Sequence, residues 1–112
     1  MTDKYILDDE GNPVVCNDLM KWGAWMEETQ TSFKRILSRT TIQANPKIFV
    51  STVFLGLDHN GFLSDERTPV LWETMIFGGP SDGEQDRYTS KEEAVAGHLN
   101  FVDEQRKLLK ND

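Results

Sequence analysis

Two long apolar runs hold the middle of the chain, IFVSTVFLGL at 48–57 and VLWETMIFGG at 70–79. Both are rich in β-branched and aromatic residues. The first is too continuous for a half-exposed strand, which places it inside a sheet with both faces at least partly covered. A single loop, DHNGFLSDERTP at 58–69, joins the two runs and carries no helical pattern. The spacing therefore predicts an adjacent antiparallel pair. Upstream, KYIL at 4–7 and VVC at 14–16 flank the turn-forming stretch DDEGNP, which reads as a hairpin or as a strand followed by a tight turn. Asn17 is placed to cap a helix, with Asp18 in its first turn. Leu19, Trp22, Met26, Phe33, Ile36 and Leu37 then recur at helical spacing and predict a helix over 18–38. Lys34, Arg35 and Arg39 lie at its far end, where cations are favoured, and TQTS at 29–32 is a weak helix former that bends or frays it.

The remaining elements are shorter. TTIQA at 40–44 reads as a strand, and Asn45-Pro46 marks a turn. PSDGEQ at 80–85 is a turn and DRYT at 86–89 a short edge strand. Ser90 and Glu93 have the spacing of a capping box, opening a last helix whose apolar stripe is Ala94, His98, Phe101, Val102, Gln105 and Leu109. The sum is an α+β fold: an antiparallel sheet of four to five strands with two helices packed on one face, in a single domain over residues 1–112.

Composition agrees with a folded domain. The 112 residues are 38% hydrophobic and 28% charged, and a chain of this size buries about 65% of its unfolded surface. No window approaches the about 18 apolar residues of a membrane span. The acidic start MTDKYILDDE lacks the basic region of a signal peptide. The single cysteine, Cys16, excludes an intramolecular disulfide, so the expected compartment is the cytoplasm.

Charge narrows the partners. The net charge is −7, which argues against direct binding of a nucleic-acid backbone. Between residues 56 and 88 seven acids (Asp58, Asp65, Glu66, Glu73, Asp82, Glu84, Asp86) face two bases, Arg67 and Arg87. Two readings stand: acidity that serves solubility, and an acidic face that docks on a basic, nucleic-acid-binding protein.

Several positions are candidates for chemistry. Asp58, His59 and Asn60 end a buried strand and offer ligand-binding groups; the same residues with Gly61 also make an ordinary turn. An EF-hand does not fit, because Phe62 stands where an oxygen ligand belongs. Glu73 points the same way along its strand as Leu71, Met75 and Phe77, so it is either buried and paired, with Arg87 or His98 as partner, or on the solvent side. His98 lies on an apolar helix stripe, as a satisfied core histidine or a functional one. Gly97 beside it signals a close helix–sheet crossing or a ligand at the backbone. Glu73, Arg87 and His98 are expected to meet in one cluster, and with Asp58, His59 and Trp72 to form the pocket of a small-ligand binder. Asp65 and Glu66, in the loop, are the exposed acids expected to meet a protein partner. Trp25 falls partly outside the stripe of Trp22 and is a candidate contact residue. Gly78-Gly79-Pro80 lacks the spacing of a phosphate loop. No HExxH, GxSxG or recognisable Cys–His motif is present, and two distant histidines with one cysteine make a poor zinc set. The expectation is a non-enzyme with no cofactor and no metal.

Five stretches together, at 6–14, 19–26, 50–59, 71–79 and 87–98, carry a signature of the form ILDxxGNPV, a tryptophan-rich helix, VSTVFLGLDH, LWETMIFGG and RYxSxEEAxAGH. Over about residues 4–103 the chain resembles a family of small proteins encoded by bacteriophages and prophages. GFLSDERT at 61–68 departs from the Gly-rich loop of that pattern. The family brings no assigned activity. The resemblance implies a viral protein in the host cytoplasm that acts by binding. The leading expectation is an inhibitor of a host component, such as a CRISPR-type antiviral defence, working through an acidic surface. The alternatives are a binder that sequesters a nucleotide-like signalling molecule and a virion-related structural protein. A homodimer is compatible with each.

Overall fold

In the computed structural model, which describes residues 3–58 and 68–110, the two apolar runs pair as the spacing predicts. They form β4 (Lys47–Phe54) and β5 (Trp72–Phe77), antiparallel, with Val50 opposite Ile76, Thr52 opposite Thr74 and Phe54 opposite Trp72. β3 (Ile36–Ala44) adds to the outer edge of β4 and β6 (Gln85–Tyr88) to that of β5, giving a four-stranded antiparallel sheet in the order β3-β4-β5-β6. Asn45-Pro46 forms the turn between β3 and β4. A separate hairpin of β1 (Tyr5–Leu7) and β2 (Pro13–Val15) is tied to the chain after β4 by the Tyr5 N–H, which donates to the Gly56 carbonyl at 2.8 Å.

Helix α2 (Lys91–Lys110) covers one face of the sheet. The predicted capping box opens it: the Glu93 N–H donates to Ser90 Oγ at 3.1 Å. Its buried residues are Ala94, His98, Val102 and Gln105, a stripe one helical turn apart. They pack on the residues that β4 and β5 turn toward the helix, in two apolar clusters. Phe54, Leu71, Trp72 and Tyr88 surround Ala94 in the first, and Val50 and Ile76 meet Val102 in the second. Helix α1 (Leu19–Ser32) lies against β1 and reaches the same core through Trp25, whose ring meets Phe54 at 5.9 Å and 82°. Among the described residues no helix is long and apolar enough to cross a membrane.

The region of α1 departs most from the sequence reading. The N-cap is Asp18, not Asn17: its carboxylate accepts from the amides of Met20 and Lys21, while Asn17 Oδ1 accepts from the Lys4 N–H. The helix ends at Ser32 instead of continuing to 38, because Phe33 takes a left-handed conformation at φ 63°. Arg35 then folds back, donating to Thr29 Oγ1 and to the Met26 carbonyl, and satisfies the end of the helix from outside it. Ile36 and Leu37, read as the last helical contacts, belong to β3, which starts four residues earlier than the expected 40–44. Ile36, Thr40 and Thr41 are β-branched and pair in the backbone ladder of β4, with Ile42 at a register shift between Thr41 and Gln43. Leu19 and Phe33, two more stripe positions, are each 64% exposed.

Two glycines allow close approach. Gly78 ends β5 at φ +88°, where a side chain would overlap the Lys47 carbonyl. Gly97 sits in α2 directly over Tyr88, and a Cβ there would overlap the phenol ring. Gly97→Ala should therefore destabilise the fold. The gain of about 1 kcal/mol in helix propensity is opposed by overpacking against a buried ring, which costs about 1–3 kcal/mol. Thermal unfolding is expected to show a lower Tm, and adding Tyr88→Leu should recover part of the loss. A Tm equal to or above wild type for Gly97→Ala would show that α2 does not rest on Tyr88.

Candidate functional site

Strand alternation separates the residues that the sequence placed together. Trp72, Thr74 and Ile76 point to α2, so Glu73, Met75 and Phe77 point away. Glu73 and Arg87 are directly opposed on β5 and β6, and Arg87 Nε donates to Glu73 Oε2 at 2.9 Å. The pairing expected between these two is present. His98 is not part of it, because α2 packs on the other side of the sheet. The expected Glu73–Arg87–His98 cluster is thus split by the sheet itself. Trp72 is a core residue between Phe54 and Tyr88. Asp58 Oδ1 accepts from the Val70 N–H at 2.8 Å, joining the two ends of the 58–69 loop. Asp58, Trp72, Glu73, Arg87 and His98 therefore do not line one pocket. His59, Asp65 and Glu66 lie outside the described residues.

His98 has the most complete surroundings of any polar group in the core. It is 2% exposed. Nε2 lies 2.8 Å from Thr40 Oγ1, and Nδ1 lies 2.8 Å from Thr52 Oγ1, which in turn is 2.5 Å from Thr74 Oγ1. A neutral imidazole needs one donor and one acceptor partner, and threonine hydroxyls serve either tautomer. Three strands and α2 are thereby linked through one ring. Burial holds the His98 pKa below its ordinary value, with no charged neighbour contributing. The satisfied core histidine is the reading that the geometry supports, and the ring has no free nitrogen for catalysis or metal binding.

Tyr88 lies beside this network with its phenol pKa pushed up, first of all by burial. Cys16 is half-buried beside β2, with its N–H donating to the Lys4 carbonyl. Trp22 Nε1 donates to the Gly56 carbonyl at 3.1 Å. Trp25, expected at the surface, is turned inward on Phe54. Among the described residues no three His, Cys, Asp or Glu side chains converge as a metal-holding group.

What remains for recognition is the helix-free face of the sheet. Phe49 on β4 and Phe77 on β5 are opposed in register and stack at 4.8 Å and 13°. The Arg39 guanidinium lies 4.5 Å from the centre of the Phe49 ring, and Lys47 Nζ lies 5.2 Å from it. Phe77 is 39% exposed, with Val53 and Met75 half-buried on the same face. This aromatic–cation ladder was hidden in the sequence. In residues 48–57 both alternating sets, Ile48/Val50/Thr52/Phe54 and Phe49/Ser51/Val53, are mainly apolar, so parity alone did not reveal which set α2 covers. The one usable signal was charge, since Lys47 and Glu73 both fall on the uncovered parity.

No family model, curated protein or solved structure matches this chain.

The histidine makes acid sensitivity testable. The fold disfavours the charged ring, while the unfolded chain takes up a proton near pH 6.5. Stability from this site is therefore complete above about pH 6.5 and falls as the pH drops below it, by at most about 1.4 kcal/mol per pH unit. Urea unfolding from pH 7.5 to 5 should show that slope in the wild type and a shallower one in His98→Gln, which starts from a lower stability. Identical slopes would mean that His98 is charged in the folded protein.

Proposed function

We propose that this protein is a non-catalytic docking domain of phage origin that binds a host protein in the cytoplasm and inhibits it. The observation carrying this reading is the helix-free sheet face. Its centre is Phe49, Phe77, Met75 and Val53, on the face on which neither helix packs among the described residues, and aromatic anchors of this kind dominate protein interfaces. Two of the candidate residues are engaged structurally: His98 is saturated by threonines and Glu73 is paired with Arg87.

The acidic character supports the choice of partner. The turn that follows Phe77 and the edge strand β6 carry Asp82, Glu84 and Asp86, all exposed. Asp82 is anchored, its Oδ1 accepting from the Gly78 N–H at 2.7 Å. Asp86 lies opposite Thr74, on the parity that faces α2, so Glu84, in the turn and free of any described ion pair, is the unpaired acid nearest the anchor. An acidic rim steers a basic partner by long-range attraction and speeds association, whereas the aromatic centre sets the lifetime of the complex. A basic nucleic-acid-binding component of an antiviral defence has charge complementary to this acidic side of the face, with Arg39 and Lys47 over Phe49 left at the other side.

The two contributions separate in kinetics. A partner recovered from host lysate on the immobilised chain should associate more slowly as salt rises from about 0.05 to 0.5 M. Glu84→Lys should slow association by about threefold or more with little change in Tm. Phe77→Ser should instead speed dissociation, at an expected loss of about 1–3 kcal/mol of binding. A partner whose binding is indifferent to salt, to the charge reversal and to Phe77→Ser would rule out this docking surface.

A further inference from the structure

A cleft opens on the side of the sheet that carries α2, away from the Phe49–Phe77 face. The β1–β2 turn, the chain leaving α1, the start of β3 and the first turn of α2 enclose it. Its outer part has a volume of about 400 Å³ and is lined by Leu7, Asp8, Asp9, Gly11, Trp25 and Lys34. An inner part of about 190 Å³ shares Leu7, Gly11 and Lys34 and continues to Leu37, Trp72 and Lys91. The larger part alone falls at the lower end of the range of about 300–1,000 Å³ for small-molecule sites.

The wall chemistry is specific. Leu7, Trp25 and the edge of the buried Trp72 supply flat apolar surface. Lys91 is half-buried, its ammonium resting against Gly11, 3.4 Å from where a Cβ would stand. Among the described residues no carboxylate lies within ion-pair distance of it. A partly desolvated, unpaired ammonium is out of pattern in a chain of net charge −7. Lys34 enters the cleft from the other wall. Its ion pair with Glu28, at 3.3 Å, is exposed on both sides, so it holds the side chain weakly and leaves N–H donors free. Arg35 is not available, being spent on Thr29 and Met26. Asp8 Oδ1 accepts from the amides of Glu10 and Asn12, which fixes the turn and keeps a carboxylate at the rim.

We propose that this cleft binds a mononucleotide-sized ligand: a planar heteroaromatic ring against Trp25 and Leu7, an anionic phosphate between Lys34 and Lys91, and sugar or amino donors on Asp8 and Asp9. Each part answers to a different group on the wall. Two ammonium groups match the double charge of a phosphate monoester. The carboxylates distinguish a nucleotide from a simple aryl anion, which has no donors to offer them. The first turn of α2 is disfavoured as the anion holder, since Ser90 Oγ takes the Glu93 amide and the Glu93 carboxylate, bonded to Ser90, already stands there.

The test is a titration of the isotope-labelled full chain with AMP, GMP, CMP and UMP, followed by amide and indole chemical shifts. The expected result is saturable binding of at least one nucleotide below about 1 mM, with shifts at Leu7, Gly11, Lys91 and the Trp25 indole. Lys34→Gln with Lys91→Gln should weaken it by about tenfold or more at unchanged Tm, since neither side chain is buried in the core. Inorganic phosphate should bind at least about tenfold more weakly. The proposal is overturned by an absence of shifts with all four nucleotides, by phosphate binding as well as they do, or by shifts confined to Phe49, Phe77 and their neighbours. The cleft and the sheet face share no residue, so loss of one reading leaves the other standing.

Discussion

Packing α2 on the β4–β5 pair decides the direction of every side chain in the sheet. Once Val50, Thr52 and Phe54 turn toward the helix, together with Trp72, Thr74 and Ile76, the period of two sends Phe49, Val53, Glu73, Met75 and Phe77 to the other side. A slip of one residue would exchange the two sets. It would put the Glu73 carboxylate under α2 and strip His98 of Thr52 and of the link through it to Thr74. The polar chain through His98 thus acts with the apolar contacts as a lock on register: threonines opposite one another on β4 and β5 meet a ring that only one alignment satisfies. Buried polar groups that are fully bonded specify a unique arrangement even where their net contribution to stability is modest.

The sequence was informative where local and tertiary preferences agree. The β4–β5 pair, the hairpin at the start, the capping box at Ser90 and the buried stripe of α2 all appear as the pattern predicts. It misled at α1. There Phe33, Ile36 and Leu37 continue a helical spacing, yet Phe33 breaks the helix and the other two enter β3. The spacing of three and four that marks a helix also occurs by accident in a chain that leaves one, and only the ladder offered by β4 resolves which applies. The weak helix formers at 29–32 were the correct hint, since the break comes at their end.

The candidate sites were less legible for a different reason. Glu73, Arg87 and His98 are close in projected distance but belong to opposite faces, and sequence alone does not say which parity of an all-apolar strand is covered. The Glu73–Arg87 pair survives because cross-strand register brings it together without reference to face. The cleft near Lys34 and Lys91 could not be read at all. Its walls come from β1, the segment after α1, β3 and α2, and none of those junctions leaves a motif.

The cations on Phe49 have a consequence for the life of the chain before it folds. Residues 48–57 form a ten-residue uncharged stretch of high β propensity, the kind of segment that stacks on copies of itself. Lys47 precedes it, and in the folded protein Lys47 and Arg39 hold positive charge over the same phenyl ring. Two such stretches, or two such sheet faces, cannot stack in register without bringing like charges together in a drying interface. The ladder therefore behaves as a gatekeeper: it leaves an aromatic surface open to a different molecule while discouraging the colloidal association that the same aromatics would otherwise invite.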